Sequence, residues 1–117
     1  MRRLIVEPAA DADVRDLRKT SHRNFGPVSA RRYQALLRAA YRLLRDDPTR
    51  PSVRRLEDLP RAPYTFHIRH ARIRGAAPKQ ARHIIVFTYD DATLTVLRVL
   101  HDSMDIDERA GGEANDA

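Results

Sequence analysis

The chain has 117 residues, with 22 Lys and Arg against 16 Asp and Glu, five His, no Cys and no Trp. That length supports one hydrophobic core rather than two, and the absence of cysteine excludes disulfides and thiolate zinc centres while fitting a reducing, cytoplasmic compartment. No apolar run is long enough to cross a bilayer, and Leu4-Ile5-Val6 after Arg2-Arg3 is too short to be the apolar part of a secretory leader.

Charge is unevenly distributed. Residues 1–101 hold 21 basic and 10 acidic side chains, a net of +11, whereas residues 102–117 hold six acidic residues and one Arg. A basic body suits a polyanion or an acidic protein partner. The competing reading is a solvated arginine surface, since 20 of the 22 basic residues are Arg. With 6% aromatic residues, a platform for stacking bases is poorly supplied.

Leu4-Ile5-Val6 is β-prone and is stopped by Pro8, which suits the first turn of a helix. Ala10, Val14, Leu17 and Ser21 recur at helical spacing up to Asn24-Phe25-Gly26, where glycine ends the helix and Pro27 opens another. Tyr33, Leu36, Leu37, Ala40, Leu43 and Leu44 form one apolar stripe, with Arg31, Arg38, Arg42 and Arg45 largely off it, until Asp46-Asp47-Pro48. These segments predict an αα-hairpin.

Four prolines mark residues 47–63 as an irregular connection, in which Arg54–Leu59 has room for one helical turn. Tyr64-Thr65-Phe66-His67-Ile68-Arg69 alternates with period two and predicts a strand with Thr65, His67 and Arg69 on one face. A loop through Gly75 and Pro78 leads to His83–Tyr89, and Asp90-Asp91 turns the chain into a last strand, Thr93–His101. Both of these strands are apolar on two faces and belong in the middle of a sheet. The expected fold is α+β, ordered β-α-α-β-β-β, with a helical hairpin on one face of a small antiparallel-rich sheet. Its other face, bearing Thr65, His67 and Arg69, is expected to stand open. One domain is expected over residues 1–106, with a flexible acidic tail over 107–117.

Arg98 is the anomaly in the last strand. It shares parity with Leu94, Val96 and Leu100, whereas His101 shares parity with Thr95, Leu97 and Val99. The two meet only if the strand twists or bulges near Leu100. A guanidinium in an apolar strand calls for either a structural ion pair, with Asp102, Asp105 or Glu57 as candidates, or a role in binding. RNA cleavage by acid–base catalysis would draw on His67, Arg69, Tyr89, Arg98 and His101, with Glu57 as an outside candidate. Nothing in their spacing forces these groups together. No glycine-rich phosphate loop, nucleophile elbow or metal-ligand spacing occurs, so no cofactor and no metal is expected.

Leu97-Arg98-Val99-Leu100-His101-Asp102-Ser103-Met104-Asp105 resembles the closing Arg-Val-Leu-His…Met-Asp pattern of ParE toxins in the RelE/ParE superfamily. Gly26 between two helices and Ala30-Arg31-Arg32-Tyr33 opening the second extend the resemblance over about residues 3–105. It implies a growth-inhibiting toxin of a type II toxin–antitoxin pair, in complex with an acidic ParD-like antitoxin. It further implies DNA gyrase as target without catalysis, with Arg69, His67, Arg98, His101 and Met104 as binding residues. The alternatives are a RelE-like ribosome-dependent mRNA endonuclease and a non-toxic nucleic-acid-binding relative. Against cleavage, no Tyr follows Tyr89, and the last strand lacks a closing basic or His-Tyr cluster. The basic stretch 70–82 and the acidic tail also depart from the typical pattern.

Overall fold

The computed structural model describes residues 1–71, 81–104 and 106. The loop around Gly75 and Pro78, Asp105 and the 107–117 tail lie outside the described residues.

Strand β1 (Arg3–Val6) uses the first β-prone run, and Pro8 opens the helical segment α1 (Pro8–Asp46). A straight helix of 39 residues would be about 58 Å long, yet the longest dimension of the molecule is 37 Å. The chain folds back at Gly26, where φ 83° and ψ 174° leave the helical region, and Pro27 restarts the helix. The result is the predicted hairpin, with arms of 8–25 and 27–46. Gly26 occupies a region of backbone space essentially reserved for glycine. An added Cβ would meet nothing within 4 Å, so Gly26→Ala isolates the backbone term. It is expected to lower the unfolding free energy by about 1–3 kcal/mol. An unchanged urea midpoint would show that the turn accepts another geometry.

After the hairpin come β2 (Arg54–Arg55), β3 (Tyr64–His67), β4 (His83–Tyr89) and β5 (Thr93–His101). The sheet order is β1-β5-β4-β3-β2, with β1 parallel to β5 and every other pair antiparallel. The apolar strands β4 and β5 are therefore interior, as expected. Phe66, Ile85, Phe87, Leu94, Val96 and Val99 pack one sheet face against Leu17, Leu36, Leu37, Ala40 and Leu44 of the two arms. This is an α+β fold with its helices on one side. Among the described residues no helix is long and apolar enough to cross a membrane.

Four local expectations need correction. Arg54-Arg55 form an edge strand paired with Thr65 and Tyr64 rather than a helical turn, because the Leu56 amide donates to the Pro63 carbonyl and closes the loop alongside β3. The strand from Tyr64 stops at His67, and Ile68–His70 form a 3-10 turn in which the Arg69 amide donates to His67 Nδ1. Arg69 is thus off the sheet. The face opposite the helices is not open at its centre, since Val86, Leu97 and Leu100 are buried there with Ile106 packed against them.

The fourth correction concerns parity. Val86 pairs with Arg98 and Phe87 with Val96, leaving Leu97 as an extra residue in a β-bulge. The bulge swaps the faces of β5 beyond it. Val99 follows Leu94 and Val96 into the main core, while Leu97 and Leu100 join the outer cluster. Arg98 therefore does not point into the core.

Candidate functional site

Four histidines gather where three strands end: His67 closes β3, His70 lies in the 3-10 turn, His83 opens β4 and His101 closes β5. Antiparallel pairing sets His83 opposite His101, with ring centroids 5.3 Å apart, and His67 and His70 are 6.4 Å apart. Asp102, one residue past β5, receives hydrogen bonds from His67 Nε2 (3.1 Å) and Arg82 Nε (2.9 Å to Oδ1). The Asp102 amide in turn donates to the Arg82 carbonyl. Burial pushes the Asp102 carboxyl up, but the hydrogen bonds from His67 and Arg82 and the Arg82 charge outweigh it and hold the group below its ordinary value.

These contacts fix the tautomers. His67 Nδ1 accepts from the Arg69 amide, so its proton resides on Nε2 and is donated to Asp102. His101 Nδ1 accepts from the Ser103 amide, with Ser103 Oγ 2.7 Å away, which leaves its Nε2–H as a donor. Tyr33, on the second arm, accepts from the Arg82 amide and donates its hydroxyl proton to His83 Nδ1. Burial raises the Tyr33 pKa, so that proton stays in place. Burial and the neighbouring His101 push His83 down to about 4, keeping it neutral at physiological pH.

Among the described residues, no group of three His, Asp or Glu is placed to hold a metal ion. The cluster is a pinned network of donors and acceptors. His67 has both nitrogens engaged and His83 is a poor base, so neither is free to shuttle a proton.

Residues 4–106 match the family described as ParE toxin of type II toxin-antitoxin system, parDE. The chain belongs to the ParE toxin family. Among curated proteins no match was found. A ParE-family chain is a toxin of a type II toxin–antitoxin system, and its family implies an antitoxin as partner.

In this ParE-family chain the residues singled out by sequence do not converge on one point. Arg98 makes a two-pronged ion pair with Asp13 of the first helical arm, Nε to Oδ2 at 2.8 Å and Nη2 to Oδ1 at 2.9 Å. The Val99 amide also donates to Asp13 (2.9 Å). β1 pairs β5 only as far as Val96, so Asp13 caps a stretch of β5 that β1 does not reach. Of the acids proposed for Arg98, Asp102 is engaged by His67 and Arg82 and Asp105 lies outside the described residues. Asp13, rather than Glu57, is the described partner.

Tyr89 stands at the far end of β4, about 20 Å from His83 at strand rise. It packs on Tyr64 at 4.9 Å, under the Arg2 guanidinium. His67, His101 and Met104 do share one end: Met104 is 41% exposed and its amide donates to the His101 carbonyl. Sequence reasoning overlooked Asp13, Tyr33 and Arg82 as partners. For Asp13 a signal existed, because it falls on the stripe of Ala10, Val14 and Leu17, where an acid needs a cation.

Proposed function

We propose that this toxin inhibits DNA gyrase by binding rather than by catalysis, acts in the cytoplasm, and is neutralised by an acidic ParD-like antitoxin. The observation that carries the non-catalytic part is the way the candidate catalytic groups are committed. His67 and Arg98 are tied to carboxylates, and Tyr89 is a strand length away from both histidines. What the strand-end cluster offers a partner is a surface of donors that includes His101 Nε2–H, with Met104 exposed three residues further along the chain. The net charge of +11 over residues 1–101 supports an acidic antitoxin.

Inducible expression of the chain alone is expected to arrest growth with filamentation and an SOS response. Co-expression of the cognate antitoxin should relieve both, and harmless expression would remove the toxic reading. The endonuclease reading keeps one supporting observation, the imidazole cluster at the strand ends. Primer extension on ribosome-bound message separates the two, since codon-positioned cuts are expected only of an endonuclease.

A further inference from the structure

The hairpin has a surface feature unrelated to the strand-end cluster. Residues 18–42 contain seven basic side chains and no acidic one. Where the two arms face each other they leave a groove of about 470 Å³, lined by Arg18, His22, Arg31, Gln34 and Arg38 over a floor including Ala30. The spacing explains the convergence. Arg18 and His22 are one turn apart on the first arm, and Arg31, Gln34 and Arg38 follow at three and four residues along one face of the second.

Among the described residues, Arg18, His22, Arg31 and Arg38 have no ion pair or hydrogen bond from their side chains. Of the acids on the first arm, Asp11 pairs with Arg15 and Asp13 with Arg98, and Asp16 makes no ion pair with the groove residues among the described residues. The Gln34 amide nitrogen is enclosed without an acceptor. Buried donors are normally satisfied, and an unsatisfied one at the wall of a groove points to a missing acceptor. The groove thus combines cations without anions and a donor without an acceptor.

We propose that this groove is a phosphate-binding cleft that grips the backbone of duplex DNA. Phosphate oxygens supply both the negative charge and the acceptors that it lacks, and arginine forks match their geometry. An acidic amphipathic peptide helix fits less well, because it needs a row of apolar pockets and Pro27 and Ala30 are the only apolar side chains lining the groove. Single strands fit less well too. They are held by stacking on several aromatic side chains, and the exposed aromatic at the hairpin tip is Phe25 alone. Contact through phosphates carries no base readout, so binding is independent of sequence. This inference does not depend on gyrase being the target.

The test is a fluorescence-anisotropy titration of the full chain against a labelled mixed-sequence duplex, from about 50 to 200 mM salt. Arg31→Ala/Arg38→Ala is expected to weaken binding on the order of tenfold at low salt and to reduce the logarithmic salt slope by about 2. Gln34→Leu should weaken binding several-fold with the slope unchanged, since it removes a donor and no charge. Arg54→Ala/Arg55→Ala, on the far edge strand, should leave both quantities nearly as in the parent. Helical circular dichroism, equal in all four proteins, establishes that each is folded. Absence of duplex binding at low salt would overturn the proposal. So would an equal loss in the edge-strand variant, or tighter binding of single strands or of an acidic peptide to the same groove.

Discussion

Asp13→Ala is expected to destabilise the fold by about 3–5 kcal/mol. The Asp13 and Arg98 side chains are 15% and 14% exposed, so each charge has lost most of its water and the pair is costly to break. Removing the acid takes away both hydrogen bonds that Arg98 makes to it and leaves the Val99 amide without its acceptor at the same time. Both changes act on β5, the strand that pairs with β1 and β4 and so holds the sheet together. Asp13→Asn, which keeps an acceptor for Val99 but loses the charge, should fall between alanine and the parent.

The contrast is Arg61→Ala. Arg61 makes an equally well-formed two-pronged contact with Glu7, but those side chains are 47% and 34% exposed. Its loss is expected to cost no more than about 1 kcal/mol, because water screens the pair and solvates what remains. Urea midpoints of the two variants measure the comparison directly. Equal shifts would mean that the Arg98 pair contributes no more than a surface contact.

The second large effect is a dependence on acid centred on His83. In the native protein burial, assisted by His101, depresses this imidazole from 6.5 to about 4. Between those two pH values the unfolded chain binds a proton that the folded chain does not, so stability rises with pH. His83 therefore costs nothing above about pH 6.5, and its penalty grows as pH falls towards 4 and is constant below that. The full loss is about 3 kcal/mol.

His83→Asn tests this with little other change. An Asn side-chain oxygen can take the place of Nδ1 as acceptor for the Tyr33 hydroxyl, and it does not titrate. The variant should lose less stability than the parent over that pH range while matching it more closely near pH 7. Parallel curves for the two proteins would assign the acid sensitivity to other groups.

Much of this architecture was legible in the residues. The stripe from Tyr33 to Leu44, the Gly26-Pro27 break and the two-sided apolar character of β4 and β5 predicted the hairpin and the interior strands, because each is a local pattern with one physical outcome. The bulge at Leu97 was not legible. Nothing at that position marks an extra residue in the ladder, yet it decides that Val99 rather than Arg98 enters the core. The 3-10 turn after His67 was hidden as well, because Ile68 and Arg69 continue the strand alternation perfectly and only the cap on His67 Nδ1 ends it.

The site was legible in composition and not in connection. His67, His101 and Met104 do come to one end of the sheet, but Arg98 turns to an acid 85 residues earlier in the chain. Ion pairs of that kind depend on tertiary approach, which spacing along a sequence does not encode. For the same reason the missing acid on residues 18–42 was visible as a number, whereas the groove that collects those arginines required the fold.

The most direct test of the central claim is a supercoiling assay with purified DNA gyrase, relaxed plasmid and increasing amounts of the full chain. A gyrase-directed toxin without catalysis predicts progressive loss of supercoiled product that added antitoxin reverses. Undisturbed supercoiling, together with codon-positioned cleavage of ribosome-bound message by the same preparation, would contradict it.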